Sequence, residues 1–434
     1  MADIGLRLKS FDEATERQKQ RSEHDAPPAP DRGWVREDLY ATGRDGRSVR
    51  AGRPHSVYPP SMHFETKAIH SGAHIDEETG AVAPPIHLST TFERRADDGE
   101  PSHGYSYIRD HNPTQTRLEE ALAAIDSAEG AMAFSSGMAA ASCLLQALPS
   151  GAHVVLPEDG YYAVRTLASD FFPRWGLTHT FVEMADLGAV ERAVSAETRV
   201  IWGESPSNPL MKIADLGALA RIAHAAGAML IVDGTFATPA LQRPIELGAD
   251  AVLHSTTKYL GGHSDVHGGS AAFARRDAYF AAVEHARTIT GGVASPFSSW
   301  LVLRGIRSLA ARMRVHCENA MVVARFLDGH PRVEAAHYPG LPSHAGHEIA
   351  ARQMSAFGGM MSFQVRGGAA EALGVAAKTK LFVRATSLGG VESLIEHRAS
   401  SEGPGSRTAP NLLRVSIGLE HAEDLIEDLR QALE

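Results

Sequence analysis

Four short apolar runs constrain the fold of this chain more than any other feature. They are HVVLP (His153–Pro157), RVIWGE (Arg199–Glu204), AMLIVDG (Ala228–Gly234) and DAVLHST (Asp250–Thr256). Each has the length of a strand, and patterns at helical spacing separate them, as in DLGALARIAHAAG (Asp215–Gly227). Near-continuous apolar strands alternating with helices are the mark of a parallel sheet covered on both faces. The alternation predicts an α/β domain with a mainly parallel sheet. AMAF (Ala131–Phe134) reads as one more strand, and SSGMAAASCLLQAL (Ser135–Leu148) as a glycine turn opening a helix. Leu118, Leu122 and Ile125 line one face of a helix in TRLEEALAAIDSAEG, with Gly130 as its expected stop.

The chain has 434 residues, enough for more than one domain. Residues 1–61 are rich in charge, Pro and Gly, as in HDAPPAPDRGW, and read as a mostly disordered extension with a thin helical pattern at Phe11–Gln20. Residues 62–305 form the expected large domain, and residues 306–434 a smaller C-terminal α+β domain. Hydrophobic residues make up 43% and charged residues 22%, which suits an ordinary soluble protein. A net charge of -10 disfavours nucleic acid and anionic membranes as partners. The opening MADIGLRLKSFDEATERQ lacks an apolar core, so no signal peptide is expected. The uncharged stretch from Gly130 to Pro157 is broken by Gly137, Pro149, Gly151 and His153, and reads as strand, turn, helix and strand, not as a membrane span. Two cysteines, Cys143 and Cys317, allow no disulfide framework, and a cytoplasmic setting is expected.

The polar candidates fall just past the ends of the apolar runs: Glu204 and Asn208 after one, Asp233 after another, Ser255 and Lys258 after a third. Open α/β sheets bind ligands at the carboxyl ends of their parallel strands. Lys258 lies in STTKYLGGHSD (Ser255–Asp265), behind Ser255 and Thr257, with VDGTFATP (Val232–Pro239) upstream. This set suits a lysine joined to an aldehyde cofactor, with hydroxyls for a phosphate and Asp233 for a ring nitrogen. The cofactor so described is pyridoxal phosphate (PLP), whose ring is an electron sink. Asp233 followed by Gly234 is also a common turn pair, and Asn208 before Pro209 also favours a turn. Asn208 is the candidate for the ring hydroxyl. Ser136, Gly137 and Met138 stand where a strand turns into a helix, and amides at a helix start suit an anion. His263 and His267 share a Gly-rich loop, but no metal site is expected.

Taken together, the motifs resemble the Cys/Met-metabolism PLP enzymes, the cystathionine γ-synthase and γ-lyase family. The pieces are TKAIHSG, YSYIRDHNPT, FSSGMAA, ESPSNP, VDGTFATP, GADAVLHSTTKYLGGHSD, SLGGVESLIEH and LLRVSIGLE, in order from about Glu65 to the C-terminus. The resemblance implies the fold-type-I architecture of PLP-dependent transferases and a homotetramer built from two tight dimers. It implies that Tyr107 and Arg109 reach the phosphate in the neighbouring subunit, so each dimer shares its two sites. Tyr161 matches the family's ring-stacking tyrosine, with Tyr162 as the fallback because the usual Tyr-Gly-Gly-Thr is altered. Arg414 matches the arginine that grips the substrate α-carboxylate, and Ser387 lies in the adjacent substrate loop. Three departures stand out: Gly234 where the family often has Asn, Thr386 where several members carry an acid that reads the distal amino group, and Arg398 within EHRASSEGPGSRTAPN, which reads equally as a reader of a substrate anion and as a salt-bridged surface residue.

The expected activity is PLP-dependent γ-elimination or γ-replacement on a γ-substituted amino acid, with a thiol co-substrate in the second case. Cystathionine γ-lyase or γ-synthase is the nearest label. Methionine γ-lyase, homoserine-ester sulfhydrylase or a lyase for another γ-substituted amino acid are alternatives. A β-lyase, an aminotransferase or a catalytically silent PLP-binding regulator are the more distant ones.

Overall fold

The computed structural model describes residues 62–403 and 406–434. The extension up to residue 61, with its helical pattern at Phe11–Gln20, lies outside the described residues.

Seven strands form the first sheet: β1 (Gly130–Phe134), β2 (His153–Pro157), β3 (Thr178–Val182), β4 (Thr198–Glu204), β5 (Met229–Asp233), β6 (Ala251–His254) and β7 (Gly269–Phe273). Their order is β1-β7-β6-β5-β4-β2-β3. The pairs from β6 through β3 are parallel, and only β7 runs against its neighbours β1 and β6. The mainly parallel sheet expected from the apolar runs is present, and each of those runs supplies a strand. Two strands carried no such signal. β3 is the edge strand THTFV, half exposed, and β7 is GSAAF, whose small side chains bury little area each.

The helices begin where their side chains can cap. Asp215 accepts from the Ala218 N–H at 2.9 Å and opens the helix Leu216–Ala225. Asn112 accepts from the Thr114 N–H at 2.9 Å and opens Pro113–Ile125, with proline at its first position. Leu118, Leu122 and Ile125 of that helix are buried as their spacing requires. Burying each side chain contributes roughly 1.5–3 kcal/mol. The expected stop at Gly130 is wrong. The helix ends at Ile125, and Gly130 is the first residue of β1. The backbone turns at Ser127, whose left-handed φ of 56° lets the Ala128 N–H close back on the Ala123 carbonyl at 2.9 Å, while the Asp126 carboxylate turns inward to the ring of buried His254 at 3.0 Å.

A second sheet holds β8 (Val333–His337), β9 (Met360–Val365), β10 (Val383–Arg384), β11 (Leu394–His397) and β12 (Leu412–Ser416), in the order β10-β11-β12-β9-β8. Met361, Phe363, Val365, Ile395, Leu413 and Val415 share one core with the helices Leu309–Asp328, Ala369–Lys378 and Ala422–Leu433. Side chains alternate across a strand, so the residues between them face the other way. Ser362, Glu396 and Arg414 belong to that second set. Ser362 reaches the Pro209 carbonyl at 2.5 Å, and Arg414 reaches Asn208, both in the loop after β4. The period of two thus sends one face of this sheet into its own core and the other toward the strand ends of the first sheet. No helix among the described residues is long and apolar enough to cross a membrane.

Candidate active site

Three neighbouring parallel strands end in titratable groups. Glu204 and Asp233 are register partners at the ends of β4 and β5, and His254 ends β6. Asp233 accepts from the Thr235 N–H at 3.0 Å. Burial pushes its carboxyl up, while the Thr235 bonds and His254 oppose the rise. Glu204 accepts from the Tyr161 N–H at 2.8 Å, and its own burial, with Asp233 nearby, holds its carboxyl well above the usual range.

Lys258 follows β6 in a turn, partly buried. Its Nζ donates to Ser387 Oγ at 2.7 Å. Burial lowers its pKa to about 8, helped by Arg414 and Arg398 and opposed by Glu396. An amine so lowered has a usable free-base fraction near neutral pH, which nucleophilic attack requires. Ser387 adopts φ 87°, a region L side chains rarely occupy. Two residues on, Gly389 has φ 78°, and a Cβ there would lie 2.7 Å from the Tyr259 nitrogen. Only glycine lets the loop pack this closely on the Lys258–Tyr259 backbone.

Arg414 is 4% exposed. Its Nη1 donates to Asn208 Oδ1 at 3.1 Å, and its Nη2 to the Ser387 carbonyl at 3.1 Å and to Glu396. Burial lowers its pKa to about 10, against the pull of Glu396. One serine therefore touches both cations: Lys258 through its hydroxyl and Arg414 through its carbonyl.

Ser136 caps the ten-residue helix Gly137–Gln146, its Oγ accepting from the Ala139 N–H at 3.0 Å. Ser255 stands across from this helix start, its Cβ 3.0 Å from where a Gly137 Cβ would be. The helix start at Gly137 and Ser255 thus meet at one corner, with Met138 next in the helix. The Thr257 hydroxyl is engaged with Gly268, donating to its carbonyl at 3.2 Å and accepting from its N–H at 3.1 Å.

Tyr161 precedes the helix Tyr162–Trp175 and is partly buried, whereas Tyr162 is 45% exposed. Burial raises the Tyr161 phenol, and Arg398 opposes the rise. Tyr107 and Arg109 are both exposed. The Arg109 guanidinium stacks 5.5 Å over the Tyr107 ring and bonds the Thr288 carbonyl at 3.3 Å. Thr386, just before Ser387, is exposed. Arg398 is 4% exposed and ion-paired to Glu396 and Glu402, so it is not a surface charge.

The sequence motif of the enzymes described as "Cys/Met metabolism PLP-dependent enzyme" matches residues 65–434. The chain belongs to this family. A cystathionine gamma-synthase of Mycobacterium tuberculosis (strain H37Rv) is 49% identical over 376 residues, covering 85% of this chain and 96% of that protein. A cystathionine gamma-lyase of Bacillus subtilis (strain 168) is 44% identical over 381 residues, covering 86% of this chain and 100% of that protein. The crystal structure of metB from Corynebacterium glutamicum superposes with a TM-score of 0.84 at 43% identity, covering 87% of this chain and 99% of that one.

The enzyme is therefore PLP-dependent, of the trans-sulfuration type, and acts on an amino-acid substrate. The residues present fit the cofactor. Asp233 is a half-buried carboxylate with no ion pair among the described residues, which a cationic ring nitrogen would complete. Lys258 supplies the lowered amine, and Ser255 with the helix start at Gly137 supplies donors for a phosphate. Sequence reading did not single out Glu396, His254 or Asp126. Glu396 sits inside a motif that was quoted whole, and Asp126 looked like part of a helix tail.

Proposed function

We propose that this enzyme performs γ-replacement, joining the γ-carbon of an activated homoserine ester to the thiol of cysteine to form cystathionine. The observation that carries the reading is the double contact of Ser387. It fixes the amine of Lys258 and the guanidinium of Arg414 on two sides of one residue, as a substrate with an α-amine and an α-carboxylate requires. The choice of reaction within the family follows the Mycobacterium tuberculosis relative, which has the higher identity of the two proteins compared above.

Asp233 would pair with the cofactor ring nitrogen and Asn208 with the ring hydroxyl. The amides of Ser136, Gly137 and Met138, with the hydroxyls of Ser255 and Thr257, would hold the phosphate. When bound, PLP supplies an electron sink beside Cα. Arg414 takes the α-carboxylate with its planar fork. Lys258 removes the Cα proton as a free amine and moves protons at Cβ. Tyr161 offers its ring as a stacking surface and its hydroxyl as a proton donor to the departing acid. The Cγ–O bond breaks and the ester's acid leaves with the proton from Tyr161, and the Cγ–S bond forms as the thiol S–H bond breaks, its proton returning to Tyr161.

Residues 62–305 carry the cofactor groups and residues 306–434 the carboxylate reader and its loop. Tyr107 and Arg109 complete a neighbouring subunit's phosphate site, in a homotetramer of two tight dimers working in the cytoplasm. The exposed Thr386 favours one second reading, a thiol that carries no distal ammonium, with sulfide first.

The test is product analysis of the PLP-loaded enzyme by mass spectrometry. With O-succinyl-L-homoserine and L-cysteine the expected product is cystathionine. Homocysteine from sulfide in place of cysteine, without cystathionine, would move the assignment to the second reading. With L-cystathionine alone, rapid release of 2-oxobutanoate and cysteine would make it a γ-lyase, and pyruvate with homocysteine a β-lyase.

A further inference from the structure

Glu396 lies between two buried arginines. It is the register partner of Arg414 across β11 and β12, and its Oε2 accepts from Arg414 Nη2. From the other side Arg398 Nη1 reaches Oε1 at 3.3 Å and Oε2 at 3.4 Å. Arg398 Nη2 bonds Glu402 Oε1 at 3.0 Å. Glu402 Oε2 accepts from Ser406 Oγ at 2.6 Å and Thr408 Oγ1 at 2.9 Å. Arg398, Arg414 and Glu396 are 4%, 4% and 6% exposed, so their charges act on one another with little screening by solvent.

This geometry decides what Arg398 does. Each of its terminal nitrogens bonds a carboxylate, whereas Arg414 gives only Nη2 to a carboxylate and turns Nη1 to the neutral amide of Asn208. Two guanidiniums and two carboxylates already sum to zero, and a second substrate anion drawn to Arg398 would face Glu396 and Glu402. Direct reading of a leaving-group anion is therefore disfavoured. The effect of Arg398 falls instead on the carboxylate it shares. Without it, Glu396 would keep Arg414 as its one ion-pair partner among the described residues and would compete in full with any carboxylate seeking that guanidinium.

We propose that Arg398 is a positioning residue that holds Glu396 between two cations and so keeps Arg414 able to bind the substrate α-carboxylate. The proposal rests on the assignment of Arg414 as the carboxylate reader. Arg398 also bears on Lys258, Tyr161 and Arg414 in the direction its charge requires, which puts it inside the site's field.

The experiment is titration of the PLP-loaded enzyme with L-alanine and, separately, with L-alaninamide, followed by the absorbance of the bound cofactor. The amide lacks the carboxylate, so a general loosening of the site would move both ligands. Arg398→Met should weaken L-alanine binding about tenfold and leave L-alaninamide within about twofold. Adding Glu396→Gln to Arg398→Met should restore L-alanine to within about threefold of wild type, because the competitor is then neutral. Should Arg398→Met not fold, Glu396→Gln alone should tighten L-alanine by a few-fold, and unchanged or weaker binding would overturn the proposal. Equal weakening of both ligands, or no rescue in the double variant, would overturn it as well. Arg414→Lys, run in parallel, separates the two levels. If it leaves L-alanine binding unchanged, the carboxylate reading of Arg414 fails. If it weakens binding while Arg398→Met does not, only the role of Arg398 fails.

Discussion

Lys258 and Ser387 are separated by 129 positions in sequence and by 2.7 Å in space, from Nζ to Oγ. The contact joins the turn after β6 to the loop before β11. That same loop gives the Ser387 carbonyl to Arg414 and places Gly389 against the backbone of Tyr259. A backbone at φ 87° carries Ser387 into this position, and the close approach at Gly389 holds it there. The strain is local, and the pairing of two cations around one serine is what it secures.

Gly389→Ala tests that hold. A methyl group 2.7 Å from the Tyr259 nitrogen, on a residue at φ 78°, cannot be accommodated unless the loop moves. The loop shift should cost roughly 1–3 kcal/mol. Because Ser387 moves with the loop, kcat/KM should fall about tenfold or more while the melting temperature drops only a few degrees. Steady-state kinetics and a thermal melt on the same preparation check both.

The pH dependence of cofactor attachment follows from Lys258. With its pKa near 8, roughly one amine in ten is free at pH 7, against about one in three thousand for an ordinary lysine. The rate at which the apo-protein takes up PLP should rise with pH and level off above about 8. Arg414→Met should move the midpoint upward. The variant removes a cation that opposes the ammonium and leaves Glu396, which favours it. Stopped-flow absorbance of PLP uptake across pH 6–10 reads the shift directly, and a downward shift would contradict the assigned electrostatics.

The large sheet and the polar groups at its strand ends were legible because their signals are local. Apolar runs mark β2, β4, β5 and β6, and the side chain that follows each one sits at a strand end by construction. β3 and β7 escaped notice because an edge strand such as THTFV and a small-residue strand such as GSAAF carry no apolar run. The carboxylate end of the site was less legible for a different reason. Glu396 and Arg414 meet only through the register of β11 and β12, and Arg398 is buried by partners that its neighbours in sequence do not announce. Composition gave no hint that Asp126, at the end of a helix, belongs to His254.

That buried pair carries a prediction of its own. Burial disfavours protonation of His254, but Asp126 and then Asp233 outweigh it and raise its pKa above the ordinary value. A group raised on folding contributes stability below its unfolded pKa and loses it as pH rises through the folded one. Asp126→Asn should therefore destabilise the protein by about 3 kcal/mol at mildly acidic pH, by breaking a buried pair. The deficit should shrink toward alkaline pH, where His254 is neutral in both proteins. Thermal melts of wild type and variant from pH 6 to pH 9 test the sign, and a gap that widens with pH would rule the pairing out as its cause.

Tyr107 and Arg109 allow the strictest check on the proposed sharing of sites between subunits. In one chain both are exposed and Arg109 bonds the Thr288 carbonyl, so their proposed role at a neighbouring subunit's phosphate can be tested by mixing subunits. Arg109→Ala and Lys258→Ala should each be nearly inactive alone. In a mixed dimer, the subunit that keeps Lys258 meets a partner that keeps Arg109, and one of the two sites is whole. A mixed dimer has one intact site of two, so material selected through both tags should return roughly a half of wild-type activity, or about a quarter to a third if whole tetramers with randomly paired dimers are what the tags select. The two variants are co-expressed with different tags, purified through both tags in turn, and assayed beside each parent. If Arg109 served its own subunit, the subunit lacking Lys258 would be dead and the other would lack Arg109, and no activity would return.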